Sequence, residues 1–219
     1  MVKSRVKIGV LDIQGSVKEH ADCLKRAGAE VLLVKKAEDL SGACGLIIPG
    51  GESTTISKLL ERFGLFNAIV DFALAGGAVW GTCAGAILLA KEIFGDDKVK
   101  SLALMDIVIA RNAYGRQLDS FEGEVEFRVD KGTKAKSVTN TYVSPGEKSV
   151  TGDTFSKKIP AVFIRAPKII KIGPDARVLA KYEDEIVALR QENLLATTFH
   201  PEMTDDLTVH RYFMGMAEG

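Results

Sequence analysis

Short apolar runs alternate with amphipathic stretches through the first half of the chain. Residues 6–13 are apolar and rich in β-branched side chains, as a strand buried on both faces would be. Ser16 then stands three residues ahead of Glu19, the form of a capping box, and opens an amphipathic helix that runs to about Ala27 and stops at Gly28. Residues 30–34 and 45–49 predict a second and third strand. Helices are expected from about Ser53 and over residues 66–75, a fourth strand over 77–81, and a helix over 84–93. Strands of this kind separated by helices predict parallel βαβ units.

From about Leu102 the pattern changes. Residues 103–110, 124–129, 161–164, 177–182, 186–191 and 194–199 all read as strands, and a helix closes the chain over about 205–216. The expected fold class is therefore α/β, a doubly wound and mostly parallel sheet with helices on both faces and a β-rich excursion in the second half. Residues 1–219 are read as a single domain with a loop insertion at about 130–158. That segment is rich in Lys, Ser, Thr and Gly, with Pro145-Gly146 as a turn signal, and reads as a solvated hairpin or a loop without fixed structure.

Composition changes the picture mainly by exclusion. Lys plus Arg and Asp plus Glu both number 29, so the formal net charge is zero. A nucleic-acid or anionic-membrane partner needs a basic surplus that this chain lacks overall. No apolar run reaches the ~18 residues of a membrane span. Lys3, Arg5 and Lys7 precede the first apolar run in the manner of a signal peptide, but Asp12 interrupts it and no small-residue cleavage site follows. Cys23, Cys44 and Cys83 lack metal-ligand spacing, which fits a reducing, cytoplasmic setting.

The densest chemistry lies at Trp80-Gly81-Thr82-Cys83-Ala84-Gly85, where a strand runs into Gly-x-Cys-x-Gly and then a helix. This is the nucleophile-elbow pattern with Cys in place of Ser. A side chain presented at so sharp a turn needs small neighbours two residues away on either side. The helix start also aims free N–H groups at the thiol, which unassisted is only a minor fraction thiolate at neutral pH. A buried structural cysteine in a Gly-rich turn is the alternative.

A nucleophilic thiol requires a base. His20 and His210 lie in the first and last predicted helices and read as surface or packing residues. His200 ends an apolar strand and begins His200-Pro201-Glu202. In extended chain, side chains two apart share a face, so Glu202 can reach the imidazole and orient it. Gly50-Gly51-Glu52-Ser53 forms a second strand-to-helix junction. The N–H groups of Gly51 and Ala84 are candidate oxyanion donors, Glu52 suits a substrate ammonium, and Ser53 can also be read as a helix cap.

Together these words resemble the class I, or triad, glutamine amidotransferases. The match narrows with Pro49-Gly50-Gly51-Glu52-Ser53-Thr54-Thr55, Arg111-Asn112-Ala113-Tyr114-Gly115-Arg116-Gln117, Phe163-Ile164-Arg165-Ala166-Pro167 and Phe199-His200-Pro201-Glu202. That set is similar to the glutaminase subunits of pyridoxal 5′-phosphate synthases, from about Lys7 to near the C-terminus. The resemblance implies a flavodoxin-like fold, L-glutamine as substrate, and a synthase subunit that receives ammonia. It implies Cys83 as nucleophile, His200 as proton shuttle and Glu202 as its orienting carboxylate. Gly51, Glu52, Ser53, Arg111, Ile164 and Arg165 would line the glutamine site. An Arg and a Glu together would distinguish the amino-acid head of glutamine from simpler amides. No metal or other cofactor is implied, and pyridoxal phosphate would be the product of the complex.

Two departures stand out. The passage before Phe163 is longer than in the members compared, and Met203 replaces an expected Leu, read as a conservative packing change. Alternatives also remain at this stage. The chain could serve a different synthase, hydrolyse γ-glutamyl compounds alone, or act as a non-enzymatic interaction module on the same sheet.

Overall fold

The computed structural model describes residues 5–95, 98–111, 120–130 and 154–219 of the chain. The first half forms β1 (Lys7–Leu11), α1 (Val17–Ala27), β2 (Glu30–Val34), β3 (Gly45–Ile48), α2 (Ser53–Arg62), α3 (Leu65–Leu74), β4 (Ala78–Thr82) and α4 (Ala84–Leu89). The second half forms β5 (Ala90–Phe94), β6 (Met105–Ala110), β7 (Ser120–Asp130), β8 (Thr154–Ile164), β9 (Lys168–Ile172), β10 (Arg177–Tyr182), β11 (Glu185–Gln191), β12 (Leu194–Thr197) and α5 (Thr208–Ala217). Short 3₁₀ turns lie at Ala37–Leu40 and Pro201–Met203.

Seven strands make the main sheet, in the order β10-β11-β12-β4-β3-β1-β2. β2, β1, β3, β4 and β12 run parallel, whereas β10 and β11 add an antiparallel margin. All residues of β3, β4 and β12 are buried, because helices cover both faces. On one face Leu24 of α1 and Phe213 of α5 pack with Ile8, Ile47 and Trp80. On the other, Ile56 and Leu60 of α2, Ile69 of α3 and Leu88 of α4 pack with Leu11, Leu46 and Ile48. Each such side chain contributes about 1.5–3 kcal/mol by leaving water. This is the doubly wound arrangement that the apolar runs predict and the flavodoxin-like fold that the resemblance implies.

The chain winds from β1 to β2 on one side and then crosses to β3 on the other. In such sheets the carboxyl ends of strands on either side of this reversal border a crevice. The segments that leave β1, β3, β4 and β12 therefore converge there, and they carry Gly15, Gly51, Cys83 and His200.

The β-rich excursion takes two forms. β5, β6 and β9 make a small sheet, and β7 pairs antiparallel with β8 through Asp130↔Thr154. Phe127 and Phe163 of this hairpin enter the core on the α1/α5 side. Of the expected 130–158 insertion, residues 154–158 belong to β8, and 131–153 lie outside the described residues. So do residues 1–4 and, within the Arg111 motif, residues 112–117.

Two expectations need correction. The helix over 84–93 ends at Leu89, and residues 90–94 form β5, paired parallel with β6. Every residue of α4 is buried. Once Lys91 and Glu92 reach the surface, pairing with β6 outweighs helical continuation. The strand β9 was also not expected: its five residues alternate too weakly, with Ile170 51% exposed, and pairing to β6 defines it.

Candidate active site

Cys83 sits between the end of β4 and the start of α4 with φ 48° and ψ −101°. A non-glycine residue at positive φ is strained, and such strain gathers at functional sites. The turn is tight enough to fix its neighbours. A Cβ on Gly81 would lie 2.4 Å from the Gly85 backbone, and one on Gly85 only 2.0 Å from the Ile48 carbonyl oxygen. The small residues two positions away on either side are thus a packing necessity. The Cys83 thiol donates toward the Ile164 carbonyl, with Sγ 3.7 Å from that oxygen.

His200 follows β12, and its backbone N–H donates to Val162 of β8 at 2.7 Å. The ring Nδ1 lies 2.8 Å from Glu202 Oε1. This pairing is as expected but its geometry is different. Pro201–Met203 is a 3₁₀ turn, so the chain folds back rather than running extended. Nε2 of His200 is buried and has no hydrogen-bond partner among the described residues, which leaves it available for a proton. Burial pushes the His200 pKa down, but the adjacent Cys83 and the hydrogen bond and charge of Glu202 outweigh it and raise it to about 10.

A cavity of about 670 Å³ opens over these groups, within the range of small-molecule sites. Gly51, Glu52, Ser53, Cys83, Ala84, Arg111, Ile164, Arg165 and His200 all line it, so the structure brings nearly every sequence-predicted site residue together. Glu202 is the exception, buried behind His200. Arg165 has φ 45°, a second strained residue at the site. Arg111 lies 3.3 Å from Glu52 Oε1. Glu52, not Ser53, is the N-cap of α2, accepting from the N–H groups of Thr54 and Thr55. Partial burial pushes its carboxyl up, yet hydrogen bonds from Thr55 and Thr54 hold it at about 2. Glu52 is therefore an anion at any working pH. Met203 is 44% exposed and lines the cavity instead of packing inside, which corrects its reading as a packing residue.

Sequence reasoning missed a group beneath the site. Ser16 does not close a capping box: its hydroxyl makes no cap bond and donates instead to Glu202 Oε1 at 2.7 Å. His20 and His210 are both fully buried, so neither is a surface residue, and they join Glu202 in one polar cluster. Residue spacing carries no signal for this, because the partners lie far apart in sequence and meet only through the packing of α1, α5 and the sheet.

The cluster sets a pH dependence of stability. Burial lowers the pKa of His20, partly offset by Glu202, and burial and His20 lower that of His210 to about 3. The unfolded chain binds these protons near pH 6.5 and the folded chain does not, so the share of stability set by His20 and His210 is complete above 6.5 and falls below it, whereas that of His200 is lost as pH rises from 6.5 toward 10. His200, raised in the folded state, is protonated in both states below 6.5 and adds no slope there. Each buried neutral histidine costs up to about 1.4 kcal/mol per pH unit. We expect the melting temperature to drop steadily from pH 6.5 to 4.5, and less steeply in His210→Leu; equal slopes would refute the assignment.

Comparisons with known proteins give the family and the fold. The model of the SNO glutamine amidotransferase family matches residues 10–144 and 139–218. The pyridoxal 5′-phosphate synthase subunit PdxT of Dehalococcoides mccartyi is 50% identical over 215 residues, 97% of this chain and 98% of the relative. Its namesake in Geobacillus thermodenitrificans is 46% identical over 213 residues, 97% of this chain and 96% of the relative. A crystal structure described as a glutamine amidotransferase superimposes with a TM-score of 0.79 at 40% identity, covering 97% of this chain and 99% of its own. PurLQS from Thermotoga maritima has a TM-score of 0.63 at 17% identity, covering 98% and 97%, and shares the fold.

Proposed function

The chain belongs to the SNO glutamine amidotransferase family, and we propose that Cys83, His200 and Glu202 carry out its reaction. It is a glutaminase, which hydrolyses L-glutamine to L-glutamate and ammonia for a synthase subunit making pyridoxal 5′-phosphate in vitamin B6 biosynthesis. The observation that carries the assignment of residues is the strained Cys83 beside a histidine held by a buried carboxylate.

His200, with its pKa raised to about 10, holds on Nε2 the proton given up by Cys83, whose sulfur turns from Ile164 to the substrate. The thiolate adds to the side-chain amide carbon, and the oxyanion is held by the N–H groups of Gly51 and Ala84. His200 returns the proton to the leaving nitrogen, and ammonia departs from a γ-glutamyl thioester. Water then loses a proton to His200, attacks the thioester and releases glutamate. Glu202 holds the ring and balances the imidazolium in both halves. Arg111 and Arg165 suit the α-carboxylate and Glu52 the α-ammonium, so the Arg111–Glu52 pair would open onto the substrate's own charges. Residues 1–219 act as one domain in this reading. A reducing, cytoplasmic setting suits a thiol nucleophile; among the described residues no helix is long and apolar enough to cross a membrane.

The test is glutamate release from glutamine, with and without the synthase subunit. Turnover that rises when that subunit is added supports the reading. Turnover indifferent to it points to another acceptor or to a stand-alone hydrolase of γ-glutamyl compounds. No turnover in either case refutes it.

A further inference from the structure

The triad as proposed leaves two fully buried histidines unused, and their geometry has a direction. His20 Nε2 lies 3.4 Å from Glu202 Oε2 and 3.1 Å from Thr82 Oγ1. Its Nδ1 lies 3.1 Å from His210 Nε2. Trp80 seals the pair, with its ring centroid 5.3 Å from His20 and 5.0 Å from His210, edge-on to both. Among the described residues, His210 Nδ1 and Glu202 Oε2 make no hydrogen bond.

One of the two proton arrangements suits these contacts better. If His20 carried its proton on Nδ1, it would turn a lone pair toward the Glu202 carboxylate. It would also donate to His210 Nε2, leaving the His210 proton on Nδ1 as a buried N–H without an acceptor. Orphaned buried N–H groups are rarer than unfilled lone pairs. With both protons on Nε2, His210 donates to His20, and His20 directs its N–H to Thr82 and to the Oε2 side of Glu202. The orphan at His210 is then only a lone pair. Glu202 thus faces three donors: His200 and Ser16 on Oε1, and His20 near Oε2.

We propose that Ser16, His20 and His210 are positioning residues that hold Glu202, and through it His200, by a one-way chain of donors across α5, α1 and the sheet. A carboxylate hydrogen-bonded twice at Oε1, with the His20 ring 3.4 Å from Oε2, resists rotation when His200 gains and loses its proton, so the ring keeps its tautomer and its aim at Cys83. Glu19, His200, His210 and Glu202 are the titratable groups acting on His20, and burial favours its neutral form among them. A second imidazolium beside His200 is thereby avoided. The inference rests on the glutaminase reading given above.

Two variants separate positioning from packing. Glutamine carries its amide nitrogen about as far from the backbone as histidine Nε2, whereas asparagine reaches only as far as Nδ1. His20→Gln keeps a donor on the Glu202 side and His20→Asn does not. With the synthase subunit present, His20→Asn is expected to lower kcat roughly tenfold or more at unchanged KM, and His20→Gln to restore most of it. Ser16→Ala, which deletes one hydroxyl, is expected to lower kcat several-fold. Equal rates in the two His20 variants, whether high or low, overturn the proposal. Should neither fold, an unchanged kcat in Ser16→Ala overturns it. The wild type measured alongside must release glutamate; if it does not, the glutaminase reading fails instead. Independently, ¹⁵N spectra of the three histidines in the wild type should show neutral Nε2–H tautomers at positions 20 and 210. An Nδ1–H tautomer at His20 would overturn the chain.

Discussion

Cys83→Ala abolishes glutamate release, by roughly 10⁴-fold or more, in the scale seen when a covalent nucleophile is deleted from a triad. No other thiol is near enough to replace it. Among the described residues the other cysteines are Cys23, buried toward the Glu202 backbone, and Cys44, which is exposed, and neither lines the cavity. The substitution should leave the fold intact, because alanine keeps the Cβ and removes only the sulfur from the elbow. Cys83→Ser is nearly as inactive, since His200 is then asked to deprotonate a far weaker acid. The check is steady-state glutamate production with the synthase subunit, beside a melting curve for each variant. An active Cys83→Ala would remove the nucleophile from the mechanism.

Gly50→Ala is the second large loss, and it arises from the other side of the cavity. A Cβ on Gly50 would lie 2.4 Å from His200 Cε1 and 3.0 Å from Nδ1, with Cys83 Cβ at 3.4 Å. The imidazole must move by about an ångström or the Gly50 loop must withdraw. A displacement of that size at a reacting group costs on the order of 10²-fold. The fold should survive, because the yielding atoms belong to a side chain. Gly85→Ala is different in kind: its Cβ meets the Ile48 carbonyl at 2.0 Å, backbone against backbone, so β3 and α4 must separate. We expect that variant to fail to fold or to melt far below the wild type. If Gly50→Ala keeps full kcat, His200 is not confined as the structure implies.

Much of this arrangement was legible in the sequence because it depends on local features. The elbow is carried by Gly81, Cys83 and Gly85 within five positions, and its strand and helix are each marked by apolar runs. His200 and Glu202 were found from their spacing, though the structure joins them through a 3₁₀ turn and not an extended chain. Glu52 was recognised as a site residue, but its use as the cap of α2 was assigned to Ser53.

What was not legible depends on distant packing. Ser16 and Glu19 have the form of a capping box, yet the Ser16 hydroxyl finds a charged acceptor 186 residues away, and a charge-assisted bond outcompetes a backbone cap. His20 and His210 carry no mark that tells a packing histidine from one facing a carboxylate. Residues 84–93 look helical throughout, and only pairing of β5 with β6 ends the helix at Leu89.

The central claim is that glutamine passes through a γ-glutamyl thioester on Cys83. Hydroxylamine competition tests it most directly, because a thioester divides between water and the stronger nucleophile. With glutamine and the synthase subunit present, rising hydroxylamine should yield γ-glutamyl hydroxamate at the expense of glutamate in the wild type, and neither product in Cys83→Ala. Glutamate formed by the wild type with no hydroxamate at any hydroxylamine concentration, or hydroxamate formed by Cys83→Ala, would contradict the account.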